Sequence, residues 1–191
     1  MLPEGAKTEP GTTTFLDSML FLHLGGLLAL DAGDLDGARE WAEASDRWLA
    51  WSGAVRGQSE GQALWAQYHR QAGNREQAHE HADRTLAHAT APRQPLALIA
   101  AHRLLGELDT DAGRFDSAAE HLDASLTLAD ACHAPYERAL TLLAMAALRA
   151  AQGASDDAKR LLDAVRSICT PLGAQPALAR AGVLAARLTS G

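Results

Sequence analysis

The strongest constraint on this chain is a ten-residue stretch that occurs four times at a fixed spacing. It reads DAGDLDGARE over 31–40, QAGNREQAHE over 71–80, DAGRFDSAAE over 111–120 and AQGASDDAKR over 151–160. Gly33, Gly73, Gly113 and Gly153 are each 40 residues from the next, and Ala38, Ala78, Ala118 and Ala158 follow them five positions on. A fixed period of this size marks a stacked repeat array. Glycine after a run of helix formers suits the left-handed position just past a helix, where a Cβ is penalised. Asp34, Asn74 and Ser155 stand close behind their glycines and can accept hydrogen bonds from the free N–H groups of a following helix. Each stretch is therefore expected to be a tight turn between two helices. The alanine falls in the first turns of the second helix, where a small side chain lets the pair approach closely. One repeat is a helical hairpin.

The unbroken period over 191 residues reads as one elongated unit rather than as separate domains. Apolar residues make up 47% of the chain, and the predominance of Leu and Ala over β-branched residues predicts an all-α fold. A net charge of −7 argues against nucleic acid or an anionic membrane as a direct partner. Cys132 and Cys169 form no disulfide framework, which points to a reducing, cytoplasmic setting. No stretch reaches the length of a membrane span, and the N-terminus lacks the basic start and apolar core of a signal peptide. Residues 1–12 combine prolines, glycines and charges without a periodic pattern, so a disordered lead-in is expected there, with the repeat domain over 13–191.

Helices are expected at about 15–32, 34–52, 55–72, 75–89, 95–112, 114–132, 135–152 and 155–170, with a last one from 176 to 188 that has no hairpin partner. That makes four hairpins and a half. The first helix is apolar on almost every side: Phe15, Leu16, Met19, Leu20, Phe21, Leu22, Leu24, Leu27, Leu28 and Leu30. Such a helix is normally buried all round, yet at the end of an array it has one neighbour. Phe15, Leu16, Met19, Leu20 and Leu27 are therefore the candidate oligomer surface, covered by a second copy or by a module outside this sequence. In the 40-residue register Trp48 and Tyr68 fall in core columns. Trp41 shares a mixed column with His81, His121 and Leu161 and is the one aromatic expected to touch a ligand.

The spacing resembles a known repeat family. In the third repeat Leu105-Gly106, Gly113 and Ala118 match the tetratricopeptide pattern, and parts of it recur as Gly25-Gly26, Gly33, Ala38; Trp65-Ala66, Gly73, Ala78; and Met145-Ala146, Gly153, Ala158. A period of 40 alone would also suit HEAT-type repeats, whereas tetratricopeptides usually repeat at about 34 residues; the Gly/Ala spacing fits the latter better. The resemblance covers roughly residues 15–190 and implies a right-handed superhelical array of antiparallel hairpins. The runs 104–115, 134–140 and 171–180 are also similar to the helical repeats of large ATP-binding LuxR-type transcription regulators. In that family such repeats lie between a nucleotide-binding module and a helix-turn-helix. Neither a phosphate-binding loop nor a basic recognition helix occurs here, so the resemblance implies a sensor or scaffold segment of a longer regulator, or else a small stand-alone repeat protein.

No catalytic constellation stands out, no cysteine pair has ligand spacing, and the histidines of the fourth helix lie too far apart to share an ion. No metal or cofactor is expected. Binding remains. In tetratricopeptide arrays the first helices of successive hairpins line a concave groove, and the resemblance places Glu60, Gln67, Arg70, Arg103, Glu107, Leu140 and Leu143 on it. That surface suits an extended peptide or a partner helix, with apolar anchors and charge pairing for register. The expected function is a non-catalytic protein-interaction scaffold; the competing expectation is a small-molecule receptor whose ligand sits inside the superhelix.

Overall fold

The computed structural model describes residues 10–11 and 14–190, so most of the expected lead-in (1–9 and 12) lies outside the described residues. Among the described residues there are nine α-helices and no strand: α1 (Phe15–Asp31), α2 (Leu35–Ser52), α3 (Gln58–Gln71), α4 (Arg75–Thr90), α5 (Pro95–Asp111), α6 (Phe115–Ala131), α7 (Pro135–Ala151), α8 (Ser155–Leu172) and α9 (Gln175–Ser190). The chain divides into two compact units, Met1–Pro92 with α1–α4 and Arg93–Gly191 with α5–α9.

The repeated stretch forms the turn its residues predict. Gly33, Gly73, Gly113 and Gly153 all hold left-handed φ values between 73° and 80°. Each turn is closed by two backbone bonds. After α1, Gly33 N–H donates to Leu30 O at 3.0 Å and Asp34 N–H donates to Ala29 O at 2.9 Å; Arg114 N–H to Asp109 O and Ala154 N–H to Arg149 O repeat the second bond. This is the Schellman pattern, which satisfies the last carbonyls of the first helix. The residue that completes it is also the N-cap of the next helix, so one glycine alone separates the two helical turns. His133 takes the left-handed position (φ 49°) between α6 and α7 without being glycine.

The expected capping side chains fare unequally. Asp34 accepts from Gly37 N–H at 2.9 Å. Asn74 stands at the N-cap of α4 without a side-chain cap bond, its amide lying 3.5 Å from His69 Nδ1 instead. Ser155 is the first residue of α8 rather than its cap, which is Ala154. The expected start of α3 at residue 55 is also displaced to Gln58, because Gly53 and Gly57 both adopt left-handed φ and interrupt the helix between them.

Within each unit, α1 packs on α2, α3 on α4, α5 on α6 and α7 on α8 as hairpins, and each hairpin meets the next helix through α2–α3, α6–α7 and α8–α9. The odd-numbered helices also touch each other directly, α1 with α3, α5 with α7 and α7 with α9, whereas α2 and α4, and α6 and α8, do not. Each unit is thus drawn together on its odd-helix side.

The hairpins close on small residues. Ala38, Ala78, Ala118 and Ala158 are fully buried. Opposite Ala118 there is no room for a methyl group, since a Cβ on Gly106 would lie 2.6 Å from Leu122 Cγ; on α1, one on Gly25 would lie 2.7 Å from the Trp41 ring of α2 and one on Gly26 2.4 Å from Leu64 Cδ2 of α3. Enlarging the alanine column should overpack the crossing. Ala118→Leu is expected to lose about 1–3 kcal/mol of stability, read as a lower midpoint in urea with an unchanged slope.

Candidate binding faces of the two units

In the first unit the odd-helix side is built by α1 and α3. Glu60, Gln67 and Arg70 stand half-buried along α3. Ser59 is buried and donates its hydroxyl to Glu60 Oε2 at 2.8 Å. His23 on α1 brings a ring whose Nδ1 is buried without a hydrogen-bond partner. Burial holds its pKa below the ordinary histidine value, and the negative charge of Glu60 opposes that shift.

Trp41, the aromatic expected to touch a ligand, is placed in the core of its hairpin. It is only 8% exposed and packs with Leu22, Ala44 and Trp48. Its ring fills the space left by Gly25, so the mixed column that contains it is a hairpin contact rather than an edge. Trp48 is fully buried, as expected. The surface expected for oligomer contacts also narrows: Phe15 and Met19 are half-buried against the Trp41–Trp48 cluster, and Leu27 is half-buried against Leu30, Ala38 and Leu64. Leu16 and Leu20 remain exposed.

A ring cluster that the sequence reading missed joins α3 and α4. The rings of His69 and His81 are stacked with centroids 5.2 Å apart and planes 13° from parallel. Trp65 lies against both, at 5.8 and 6.0 Å, and its indole N–H donates to Asp46 Oδ2 at 2.9 Å. His81 Nδ1 is 2.7 Å from Gln62 Oε1, a contact in which the ring N–H donates. Burial lowers the pKa of both histidines, and for His81 the neighbouring His69 and Arg84 add to the shift.

In the second unit the odd-helix side is tied by Arg103 of α5 and Glu137 of α7, whose side chains meet at 2.6 Å. Only 15% and 27% of the two side chains are exposed. Arg103 is therefore a structural link between two helices and not the open recognition residue that the groove assignment made it. Glu107 is half-buried on α5. Leu140 and Leu143 pack against the cluster formed by Ala139, Leu142, Ala146, Leu162 and Val165, so they form the apolar floor of this face. Behind it, Ser125 donates to Ile99 O at 2.9 Å and meets Thr141 Oγ1 at 2.8 Å. Buried Asp109 accepts from Arg114 Nε at 2.9 Å and from Ser117 Oγ at 2.5 Å, which locks the turn between α5 and α6.

His102 and His121 face each other across the same hairpin with their Nδ1 atoms 3.1 Å apart. Their ring centroids are 5.4 Å apart, little more than the nitrogen separation plus the two ring radii, so the nitrogens point head-on. That geometry shares one proton along a line; two lone pairs converging on one ion would meet at an angle. Burial, then the proximity of His121, lowers the pKa of His102. Among the described residues no three His, Cys, Asp or Glu side chains are placed to share a metal ion.

The signal for these pairs was present as a spacing. Leu22 and Trp41, Gln62 and His81, His102 and His121, and Leu142 and Leu161 are all 19 residues apart, and each pair meets or packs together across a hairpin. Reading histidines along single helices could not reveal a contact made between helices. Compared with known proteins, the chain matches no family model, and no curated protein is found to match it.

Two outcomes follow from this geometry. Arg103→Glu sets a carboxylate against Glu137 in a poorly hydrated site. It should cost about 2–3 kcal/mol, less than the roughly 3–5 kcal/mol for breaking a fully buried pair, and Glu137→Arg added to it should recover part of the loss in thermal melts. The pH dependence has a definite sign. The fold favours neutral His102, so its contribution is complete above the ordinary value of 6.5 and is lost as pH falls from there through the lower folded value. His102→Gln reproduces the Gln62–His81 pairing at this position. The variant should therefore lose less melting temperature than the parent between about pH 7 and pH 5, the rest of the slope coming from His23, His69 and His81.

Proposed function

We propose that the chain is a non-catalytic protein-interaction module, a tetratricopeptide-like right-handed array with a 40-residue period whose odd helices line a groove for a peptide or partner helix. In this reading it is the sensor or regulatory segment of a bacterial LuxR-like transcription regulator working in the cytoplasm. The observation that carries it is the direct contact of odd-numbered helices in both units while even-numbered helices stay apart. Helical hairpins stacked with that asymmetry curve around their odd helices, which is the side that repeat proteins of this kind use for binding. The odd faces also carry the chemistry for it. Glu60, Gln67 and Arg70 offer polar contacts on α3, and Leu140 and Leu143 offer an apolar floor on α7. Each face by itself offers a partner segment one kind of contact, polar in the first unit and apolar in the second.

Selection of a phage-displayed peptide library on the intact chain tests this. Peptides that bind the first unit's face should lose about tenfold or more in affinity with Gln67→Arg on α3, and those that bind the second unit's face with Ala147→Arg on α7. They should bind Asp123→Arg, on exposed α6, as tightly as the parent. Affinity lost only in the α6 variant, or selection that yields no saturable binder, would count against a groove on the odd helices.

A further inference from the structure

One flank of α1 is open and almost purely apolar. Leu16, Leu20, Leu24 and Leu28 stand at four-residue intervals, 62%, 56%, 42% and 59% exposed, with Phe21 beside them at 38%. The only charges on α1, Asp17 and Asp31, lie near its two ends.

The repeat itself shows what this flank is for. Forty residues after Leu24 stands Leu64, which is 1% exposed and packs against Leu30 of α1 and Ala38 and Ala42 of α2. One hundred and twenty residues after Leu28 stands Leu148, which is 2% exposed and packs against Ala118 and Leu122 of α6. The counterpart of Phe21 on α7 is Thr141, fully buried and bonded to Ser125 of α6. At the positions of Phe21, Leu24 and Leu28, α3 and α7 dock on the preceding hairpin. On α1 the same positions are apolar and stand in water.

We propose that this flank docks on the same flank of a second copy, forming an antiparallel α1–α1 pair about a two-fold axis between Leu20 and Leu24. Two observations select a copy of this chain as the occupant. Residues four apart form one of the two ridge systems of a helix, and two such ridges interdigitate with each other in the commonest class of helix packing; a straight row of four leucines is therefore complementary to itself. The antiparallel arrangement brings Leu16 to the partner's Leu28 and Leu20 to the partner's Leu24, so the row meets itself along its whole length. The area also suits. At about 150–200 Å² for each fully exposed large apolar residue, the five side chains leave on the order of 400 Å² of apolar surface, the size of the largest patch on a typical monomer. A standard interface of roughly 800 Å² per partner is a little over half non-polar, so the patch supplies nearly all the apolar surface such an interface needs.

Sedimentation of the intact chain between roughly 1 and 100 µM, the range in which a modest interface associates, should show a reversible monomer–dimer equilibrium. Leu20→Glu combined with Leu24→Glu should weaken dimerisation by about a hundredfold or more with unchanged helical circular dichroism. Val183→Glu, on an exposed residue of α9, should leave it intact. The register is read by disulfide formation in a Cys132→Ser background: a mixture of Leu20→Cys and Leu24→Cys chains should cross-link more readily than either alone. A monomer throughout the range overturns the proposal, as does a dimer that survives the double glutamate variant. Cross-linking of Leu20→Cys chains with one another in preference to Leu24→Cys chains overturns the antiparallel arrangement. If the double glutamate variant does not fold, the cross-linking result decides alone.

Discussion

Both units depend on how closely paired helix backbones approach at their crossing. Ala38, Ala78, Ala118 and Ala158 contribute little volume, and Gly25, Gly26 and Gly106 leave spaces that Trp41, Leu64 and Leu122 occupy. Dispersion falls off steeply with distance, so close contact of backbone and side chain yields many favourable atom pairs from few large residues. This explains how a chain with few aromatics forms continuous cores from alanine and leucine. It also explains why the two buried tryptophans, Trp41 and Trp48, lie beside the glycine-bearing helix α1.

Between the crossings, polar groups tie helices together where apolar packing alone would let them slide. Arg103 with Glu137, Ser125 with Thr141, and Asp109 with Arg114 and Ser117 each join different helices or bind a helix to its turn. A hydrogen bond of this kind contributes modestly when made and costs considerably more when one buried partner is removed. These contacts therefore fix the relative rotation of helices more than they raise stability. The histidine pairs work in the same positions but with a proton-dependent strength, which couples the firmness of the α3–α4 and α5–α6 hairpins to pH in the mildly acidic range.

Much of this was legible in the order of residues. The glycine at 40-residue intervals identified the turns because its left-handed conformation is a local requirement, and the alanine behind it identified the crossing because only a small side chain fits there. What stayed hidden depends on contacts between segments distant in sequence. Trp41 looked like an edge residue until Gly25, sixteen positions earlier, proved to be its socket. Arg103 looked like an open groove residue until Glu137 on another helix took it up. At each of these positions, the local propensity was sound and a tertiary contact prevailed.

The one-glycine turn has a consequence for how such a chain can change over generations. One residue closes the first helix and opens the second, so a junction carries no loop whose length must be matched to its surroundings. The helices of the second unit begin at Pro95, Phe115, Pro135, Ser155 and Gln175, each twenty residues after the last. Duplication or loss of a forty-codon segment therefore joins helix ends in the same geometry wherever the break falls, and leaves the alanines and glycines of neighbouring hairpins in register. Slippage by any other length would misplace an entire helix face. Length variation among descendants of this gene should accordingly come in whole hairpins.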